Sequence, residues 1–424
     1  MNRRLLADWL AHAERVHPVG IDMGLARVRE VAQRLGVLPP SKCNTVIAGT
    51  NGKGSTCAYL EALLLASGRT VGTTISPHLH KFNERVRLNG RPVEDDLLCD
   101  AFAEIEDARK DITLTYFEFG VLVALVVFRR ANVDATVLEV GLGGRLDAVN
   151  IVDGDATIIT SIGIDHVGYL GPDRESIGRE KAGIMRSRVP CVYGEESIPV
   201  SIVKAAFELD VPLLRFDVDF HARQTGRDSW YFDALQCANG RVALDELALP
   251  SVALRNAASA LQAFLLLEGA DSLRDHVAAS AHARLPGRFE RFDHRGVQVI
   301  VDVAHNPHGA AFLCRQLRAR RGSGRTIAVA GFLQDKDAAG IVAALDSAVD
   351  EWIFVGTDGQ RGQSAALSAG KAGIAIRAVA SEGDLVDVLD GLVKRLNSLD
   401  RVVVFGCFDL AQRARAAVLG VGHD

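Results

Sequence analysis

The stretch Asn44-Thr45-Val46-Ile47-Ala48-Gly49-Thr50-Asn51-Gly52-Lys53-Gly54-Ser55-Thr56 reads as a strand, a glycine loop and a helix start. Glycines let the backbone wrap so that several N–H groups face one anion. The helix N-terminus adds free donors and a favourable dipole. Lys53 has the reach for the β- and γ-phosphates of a nucleotide, and Ser55 or Thr56 for a cap or a metal. The strict phosphate-loop spacing would place Gly at position 47, where Ile47 stands, and Gly54 follows the lysine. Gly49, Thr50, Asn51, Gly52, Lys53, Gly54 and Ser55 are still predicted to hold phosphates, because strand, loop and helix come in the required order. The plain alternative is a glycine turn with no ligand.

Working outward, short β-branched runs alternate with longer helical patterns. Thr70–Thr74, Ala135–Val140 and Ala156–Thr160 are strand candidates, and Ser55–Ser67 and Phe117–Arg130 helix candidates. This alternation predicts an α/β fold with a mostly parallel sheet. Over residues 215–245 the pattern shortens, and Ser229–Ala234 with Arg241–Leu244 suggest a small antiparallel patch. A helix around Ala253–Glu268 follows. Leu285-Pro286-Gly287-Arg288 punctuates the chain, and a new α/β series begins, with Val297–Val303 as its first strand, then Thr326–Ala330, Glu351–Val355 and Arg401–Phe405. Two domains are expected, 1–285 and 286–424, the first P-loop NTPase-like and the second a smaller Rossmann-like unit. Gly356–Gly370 reads as the most loop-like stretch of the second.

Composition sets outer limits. The 424 residues carry 24% charged and 48% hydrophobic side chains, ordinary for a globular protein. A formal net charge of −5 argues against a nucleic-acid binder. The seven cysteines, Cys43, Cys57, Cys99, Cys191, Cys237, Cys314 and Cys407, include no C-x-x-C pair. Free thiols in a reducing cytoplasm fit better than disulfides or a zinc site. Asp8 interrupts the apolar run at the N-terminus, so no signal peptide is predicted. No stretch reaches the ~18 uncharged apolar residues of a membrane span.

Ser76, Glu139 and His166 each follow or end a predicted strand, where ligands bind in open parallel sheets. Each has a plain alternative: Glu139 as an ion-pair or capping residue, His166 as a turn histidine with Asp165 as the ligand instead. Lys181 reads most simply as an exposed helix lysine. Asp302 and His305 close a strand of the second domain, either as strand terminators or as groups facing a cleft.

Together these segments resemble the folylpolyglutamate synthase family, and within it the bacterial bifunctional members with dihydrofolate synthase activity, in the wider Mur-ligase superfamily. The resemblance runs in order through Ile21–Leu25, Gly49–Ser55, Ser76–Leu79, Phe82–Arg87, Thr115–Phe119 and Glu139–Asp147. It continues through Asp165-His166, Glu180–Ile184, Pro286–Glu290 and Asp302–Pro307. It implies an ATP-dependent acid–amino-acid ligase of folate biosynthesis and one-carbon metabolism. Its substrates would be dihydropteroate, reduced folates and L-glutamate. Residue by residue, it implies Ser76, Glu139 and His166 as ligands of Mg²⁺. Lys181 would be a carbamylated lysine serving a second ion, which displaces the exposed-lysine reading. Asn256, Arg288 and Asp302 would contact nucleotide, and His305 the incoming glutamate. Lys53, Lys181 and His305 would be the catalytic set. Asp22, Met23, Thr115, Tyr116, Phe117, Glu118, Leu146, Asp147 and Ala148 would line the pterin pocket. A monomer acting in the cytoplasm is implied as well.

The chain departs from the family pattern at Ala48 and Val149, where Thr is usual, and at Val303, where Gly is usual beside Asp302. The chemistry implied is attack of a carboxylate on the γ-phosphate of ATP, then attack of the glutamate amine on the acyl phosphate. ATP held by both domains would favour closure and exclude water. Alternatives are a monofunctional folylpolyglutamate synthase, a Mur-type peptidoglycan ligase and a nucleotide-hydrolysing switch. Ile21–Leu25 and Thr115–Phe119 speak against the Mur-type reading.

Overall fold

In the computed structural model, residues 4–236, 240–373, 378–381 and 385–420 are described. Cys237 lies outside them, as do residues 1–3 of the N-terminal run. The chain divides into two compact units, Met1–Leu285 and Pro286–Asp424.

The first unit is built on an eight-stranded sheet. Its strands are β1 (Cys43–Ala48), β2 (Val71–Thr74), β3 (Val86–Leu88), β4 (Arg91–Pro92), β5 (Ala135–Glu139), β6 (Ala156–Ile159), β7 (Cys191–Tyr193) and β8 (Leu213–Arg215). The order is β4-β3-β2-β5-β1-β6-β7-β8. All neighbours from β2 to β8 run parallel, and β3 and β4 are added antiparallel at one edge. Alternate side chains of the central strands feed two separate cores. Val46, Ala48 and Leu138 enter one, with Phe119 and Leu122 of the helix Tyr116–Ala131. Ile47 and Val137 enter the other, with Leu60 and Leu63 of the helix Lys53–Ala66. The two-residue period of a strand does this sorting, and burial of both faces explains why these strands read as continuous apolar runs. Gly72 on β2 is required by packing, since a Cβ there would sit 2.5 Å from the Phe128 ring.

The antiparallel patch is a three-stranded meander of β9 (His221–Gln224), β10 (Ser229–Gln236) and β11 (Gly240–Ala248), with a register shift between Trp230 and Phe232. Trp230 and Phe232 reach the second of the two cores.

The second unit holds β12 (Glu290–His294), β13 (Val297–Val301), β14 (Thr326–Ala330), β15 (Glu351–Val355), β16 (Ala378–Ser381) and β17 (Arg401–Phe405), in the order β12-β13-β17-β14-β15-β16. Three expectations need correction. The series opens with β12, paired antiparallel to β13 through a tight turn whose Gly296 N–H donates to Asp293 Oδ1 at 3.1 Å, so Val297–Val301 is second. That strand also stops before Asp302. Within Gly356–Gly370, a helix Ala365–Ala372 begins, because the Ser364 hydroxyl caps Leu367 N–H at 3.3 Å and small residues follow.

Cys43, Cys57, Cys99, Cys191, Cys314 and Cys407 are free thiols. Among the described residues no helix is long and apolar enough to cross a membrane.

Candidate active site

The glycine loop between β1 and the helix Lys53–Ala66 is gripped by the segment that follows β6. Thr50 N–H donates to the Ser161 carbonyl at 2.8 Å, and Asn51 N–H to Ser161 Oγ at 3.1 Å. Thr160 Oγ1 donates to the Asn51 carbonyl at 2.7 Å, and Gly163 N–H to Thr50 Oγ1 at 2.9 Å. Two glycines make this possible. Gly49 has φ 152° and Gly52 φ 88°. A Cβ at Gly49 would lie 1.8 Å from Thr160 Oγ1, and one at Gly52 2.6 Å from Asn256 Oδ1. Asn256, on the helix Leu254–Glu268, therefore lies directly against the loop. Lys53 arches back, its Nζ 3.0 Å from the Gly49 carbonyl and 3.4 Å from that of Thr50. Ser55 and Thr56 are buried in the first turn, with Thr56 Oγ1 donating to the Gly52 carbonyl.

Glu139, at the end of β5, sits beside the loop in register with Ile47. It is buried, accepts from Ser76 N–H at 2.8 Å, and its Oε2 lies 3.5 Å from where a Gly54 Cβ would project. Lys181, on the helix Arg174–Ala182, is only 3% exposed, which overturns the reading of an exposed helix lysine. The helix is held against the Gly141–Asp147 turn. Arg145 N–H donates to the Glu180 carbonyl at 2.7 Å, and a Cβ at Gly144 would meet Lys181 Cα at 3.1 Å. Burial lowers the Lys181 pKa to about 7; the Lys53 cation lowers it further, while Asp165 and Asp147 oppose. Lys181 therefore presents an amine close to neutrality behind the phosphate loop. His166 is exposed, with φ 51°, at the start of the one-turn helix Val167–Leu170. Among the described residues no three His, Cys, Asp or Glu side chains form a metal-sized cluster.

The residues expected to line a pterin pocket belong to the same unit. Asp147 is buried and caps its own turn, accepting from Leu142 N–H at 2.8 Å and Val149 N–H at 3.0 Å. Burial raises its pKa to about 6. Ala148 and Val149 are buried beside it, and Leu146 is half-buried. Val149 and Ala48 both sit in the apolar core, which explains why neither needs a hydroxyl. Thr115 and Glu118 form a capping box at the start of the helix Tyr116–Ala131, with Thr115 N–H donating to Glu118 Oε2 at 2.7 Å. Phe117 leans onto Gly141, where a Cβ would lie 2.4 Å from its ring. Met23 and Leu170 both approach Gly143. Asp22 Oδ2 accepts from Arg27 Nη1 at 2.6 Å and contacts His17 Nε2 at 3.1 Å. Arg27 Nη2 also reaches Glu118 Oε1 at 3.2 Å.

Three elements were missed from sequence. Thr160 and Ser161 grip the loop, Arg27 ties Asp22 to Glu118, and Arg85 bonds His78 next to Tyr116. The first two pairings join residues ~90 or more apart in sequence, which no local periodicity reveals. Arg85 lay inside a matched segment but carried no role.

In the second unit, Asp302 follows β13. Its two oxygens accept from Phe289 N–H and Ala304 N–H, each at 2.8 Å. Burial raises its pKa, opposed by Arg288. Val303 is buried, and its backbone is outside the left-handed region, so a β-branched side chain is accommodated. His305 Nδ1 lies 2.8 Å from the Val303 carbonyl. The Phe408 ring contacts both Arg288, whose guanidinium carbon is 5.1 Å from its centroid, and the His305 ring, 6.0 Å away. Asn306 caps the helix Pro307–Ala319.

Residues 47–192 match the Mur ligase middle domain and residues 287–408 the Mur ligase glutamate ligase domain. The dihydrofolate synthase/folylpolyglutamate synthase of Escherichia coli K12 is 47% identical over 363 residues, 85% of this chain and 84% of that protein. The solved E. coli FolC in complex with DHPP and ADP superposes with a TM-score of 0.91 at 43% identity, covering 98% of both chains. The Yersinia pestis bifunctional enzyme complexed with AMPPNP and Mn ion gives a TM-score of 0.89 at 43% identity, again covering 98% of both. The chain belongs to the dihydrofolate synthase/folylpolyglutamate synthase family of Mur ligases.

Proposed function

We propose that this protein is an ATP-dependent ligase that adds L-glutamate to dihydropteroate and to the γ-carboxylate of reduced folates. The observation that carries the reading is the near-neutral, buried Lys181 set behind a phosphate loop whose backbone is pinned on one side and whose lysine arches across it. The names of its relatives specify the folate substrates. The unit Met1–Leu285 would hold nucleotide and folate, and Pro286–Asp424 would serve as the glutamate-ligase unit.

Gly49–Ser55 offers backbone donors and Lys53 a cation to the phosphates, and Asn256 reaches the same turn. In the second unit, Arg288 and Asp302 are assigned to nucleotide contact and His305 to glutamate. Asp22, Met23, Thr115–Glu118 and Leu146–Ala148 are assigned to the pterin end. Thr115, Glu118 and Asp147 would act chiefly by fixing the pocket wall, given their capping bonds.

Ser76 and Glu139 lie together, the Ser76 N–H donating to Glu139 Oε2 at 2.8 Å, and they are assigned, with His166, to hold Mg²⁺, which takes few protein ligands and completes its shell with waters and phosphate oxygens. Mg²⁺ bound there would neutralise charge on the phosphoryl oxygens. With burial lowering its pKa to about 7, a substantial fraction of the Lys181 amine is uncharged near pH 7 and can attack CO₂, forming a carbamate N–C bond and releasing a proton. The product is an oxygen donor at a position where an ammonium would repel a cation. Labelling with ¹³C-bicarbonate should give a carbamate carbon resonance that Lys181→Ala abolishes; an unchanged spectrum would refute the modification.

A carboxylate oxygen attacks the γ-phosphorus as the bond to ADP breaks. The glutamate amine then attacks the acyl carbon, phosphate leaves and a proton is lost. Six free thiols among the described residues support a cytoplasmic location. The deciding experiment is ADP release from purified protein, with glutamate and each carboxylate substrate omitted in turn. Dependence on both is expected; release without glutamate would favour a nucleotide-hydrolysing switch.

A further inference from the structure

Arg85 ends the short 3₁₀ helix Phe82–Arg85, and its carbonyl accepts from Ile75 N–H at 3.2 Å, one residue before Ser76. Its side chain is fixed from three directions. Nε donates to His78 Nδ1 at 2.7 Å, and the guanidinium carbon lies 5.4 Å from the Tyr116 ring centroid and 5.8 Å from that of Phe82. Two aromatic faces and one hydrogen bond hold the guanidinium plane.

Its charge is not spent internally. Among the described residues no hydrogen bond or ion pair engages Nη1 or Nη2. Glu139 and Glu84 act on it electrostatically, but Glu139 accepts from Ser76 N–H, and Glu84 from the N–H groups of Leu79, His80 and Lys81. Three other arginines of this unit are paired: Arg27 with Asp22 and Glu118, Arg145 with Glu180, and Arg87 with Glu61.

We propose that Nη1 and Nη2 of Arg85 form a two-pronged subsite for the carboxylate that attacks the γ-phosphate. The inference rests on the ligase reading above. That carboxylate must approach Glu139 and the phosphates, all negative, and needs a counter-charge from the pocket side. A planar fork matches a carboxylate's two oxygens. When the glutamate amine attacks, negative charge returns to the remaining carbonyl oxygen, and the same fork stabilises it. Dihydropteroate and a γ-glutamyl tail present the same group at this point, so one arginine serves both reactions.

The test is a binding cycle on the full-length chain, with dihydropteroate and its decarboxylated counterpart as ligands, measured by calorimetry in the presence of ADP. Wild type should favour the carboxylate by about 10- to 100-fold. Arg85→Ala should reduce that preference below about threefold, and Arg85→Lys, a point charge without the fork, should fall between. ADP affinity should be unchanged in both, which also verifies folding; Arg85→Gln substitutes if the alanine variant does not fold. Full preference retained in a folded variant overturns the fork and leaves the ligase reading intact. A rise in KM for L-glutamate alone also overturns it. Wild type that binds neither ligand removes the ligase reading and the fork together.

Discussion

Within the first unit, the loop Gly49–Asn51 is gripped through Thr160, Ser161 and Gly163, with Glu139 and Lys181 buried beside it. The segment around Asp22 is attached more sparingly. Asp22 is held by Arg27 and His17, while Val19 and Ile21 are about half exposed, as are Ile164, Val167 and Tyr169 after β6. The difference follows from what each side must meet. Phosphates are the same in every turnover, so donors fixed in advance cost nothing to reorganise. The Asp22 side, as the proposed folate side, would have to admit a bulky ring system and release it, and the apolar side chains left in water there would be covered when substrate binds.

The sharpest way to break this contrast is at the rigid side. Lys53→Ala should cut kcat by roughly 10³-fold with either carboxylate substrate, as expected for a cation serving transition-state charge. A loss under tenfold would show that the loop does not carry the chemistry. Next, Gly52→Ala adds a Cβ 2.6 Å from Asn256 Oδ1 at φ 88°. It should destabilise the chain by about 1–3 kcal/mol and weaken ADP binding, read by denaturant titration and calorimetry. Wild-type values would mean the turn is not held as described.

Substitution on the open side should act selectively. Asp22→Asn should raise KM for dihydropteroate about tenfold, the loss of roughly one charge-assisted hydrogen bond, and leave ADP affinity unchanged. Equal weakening of ADP would erase the division between the two sides.

The smallest effect is a pH slope. Asp147 binds its proton more tightly folded, at about 6 against an ordinary 3.8, because it is buried. Its contribution to stability is therefore full below pH ~4 and lost as pH rises through ~6. The melting temperature of wild type minus that of Asp147→Asn should decline across that window; a flat difference would show that Asp147 does not titrate there.

The strand–loop–helix at Gly49–Ser55 and the alternation around it were readable because they rest on local chemistry and short periods. Lys181 was misread for the same reason. Its neighbours Arg179, Glu180 and Arg186 look solvated, and only packing against the Gly141–Asp147 turn buries it. The helix at Ala365 was hidden by glycines on both sides of Ser364, and β12 by its charged sequence Glu290–His294. The pterin-side assignments came from resemblance, since capping bonds at Thr115, Glu118 and Asp147 give no sign of a ring system.

The most direct measurement follows oxygen. Dihydropteroate labelled with ¹⁸O in its carboxylate is turned over with ATP and L-glutamate, and the released phosphate is analysed by mass. One label per phosphate is the expected result, because the carboxylate oxygen that bonds to phosphorus leaves with it. Phosphate free of label, with both oxygens' label retained in folate species, would contradict the acyl-phosphate route.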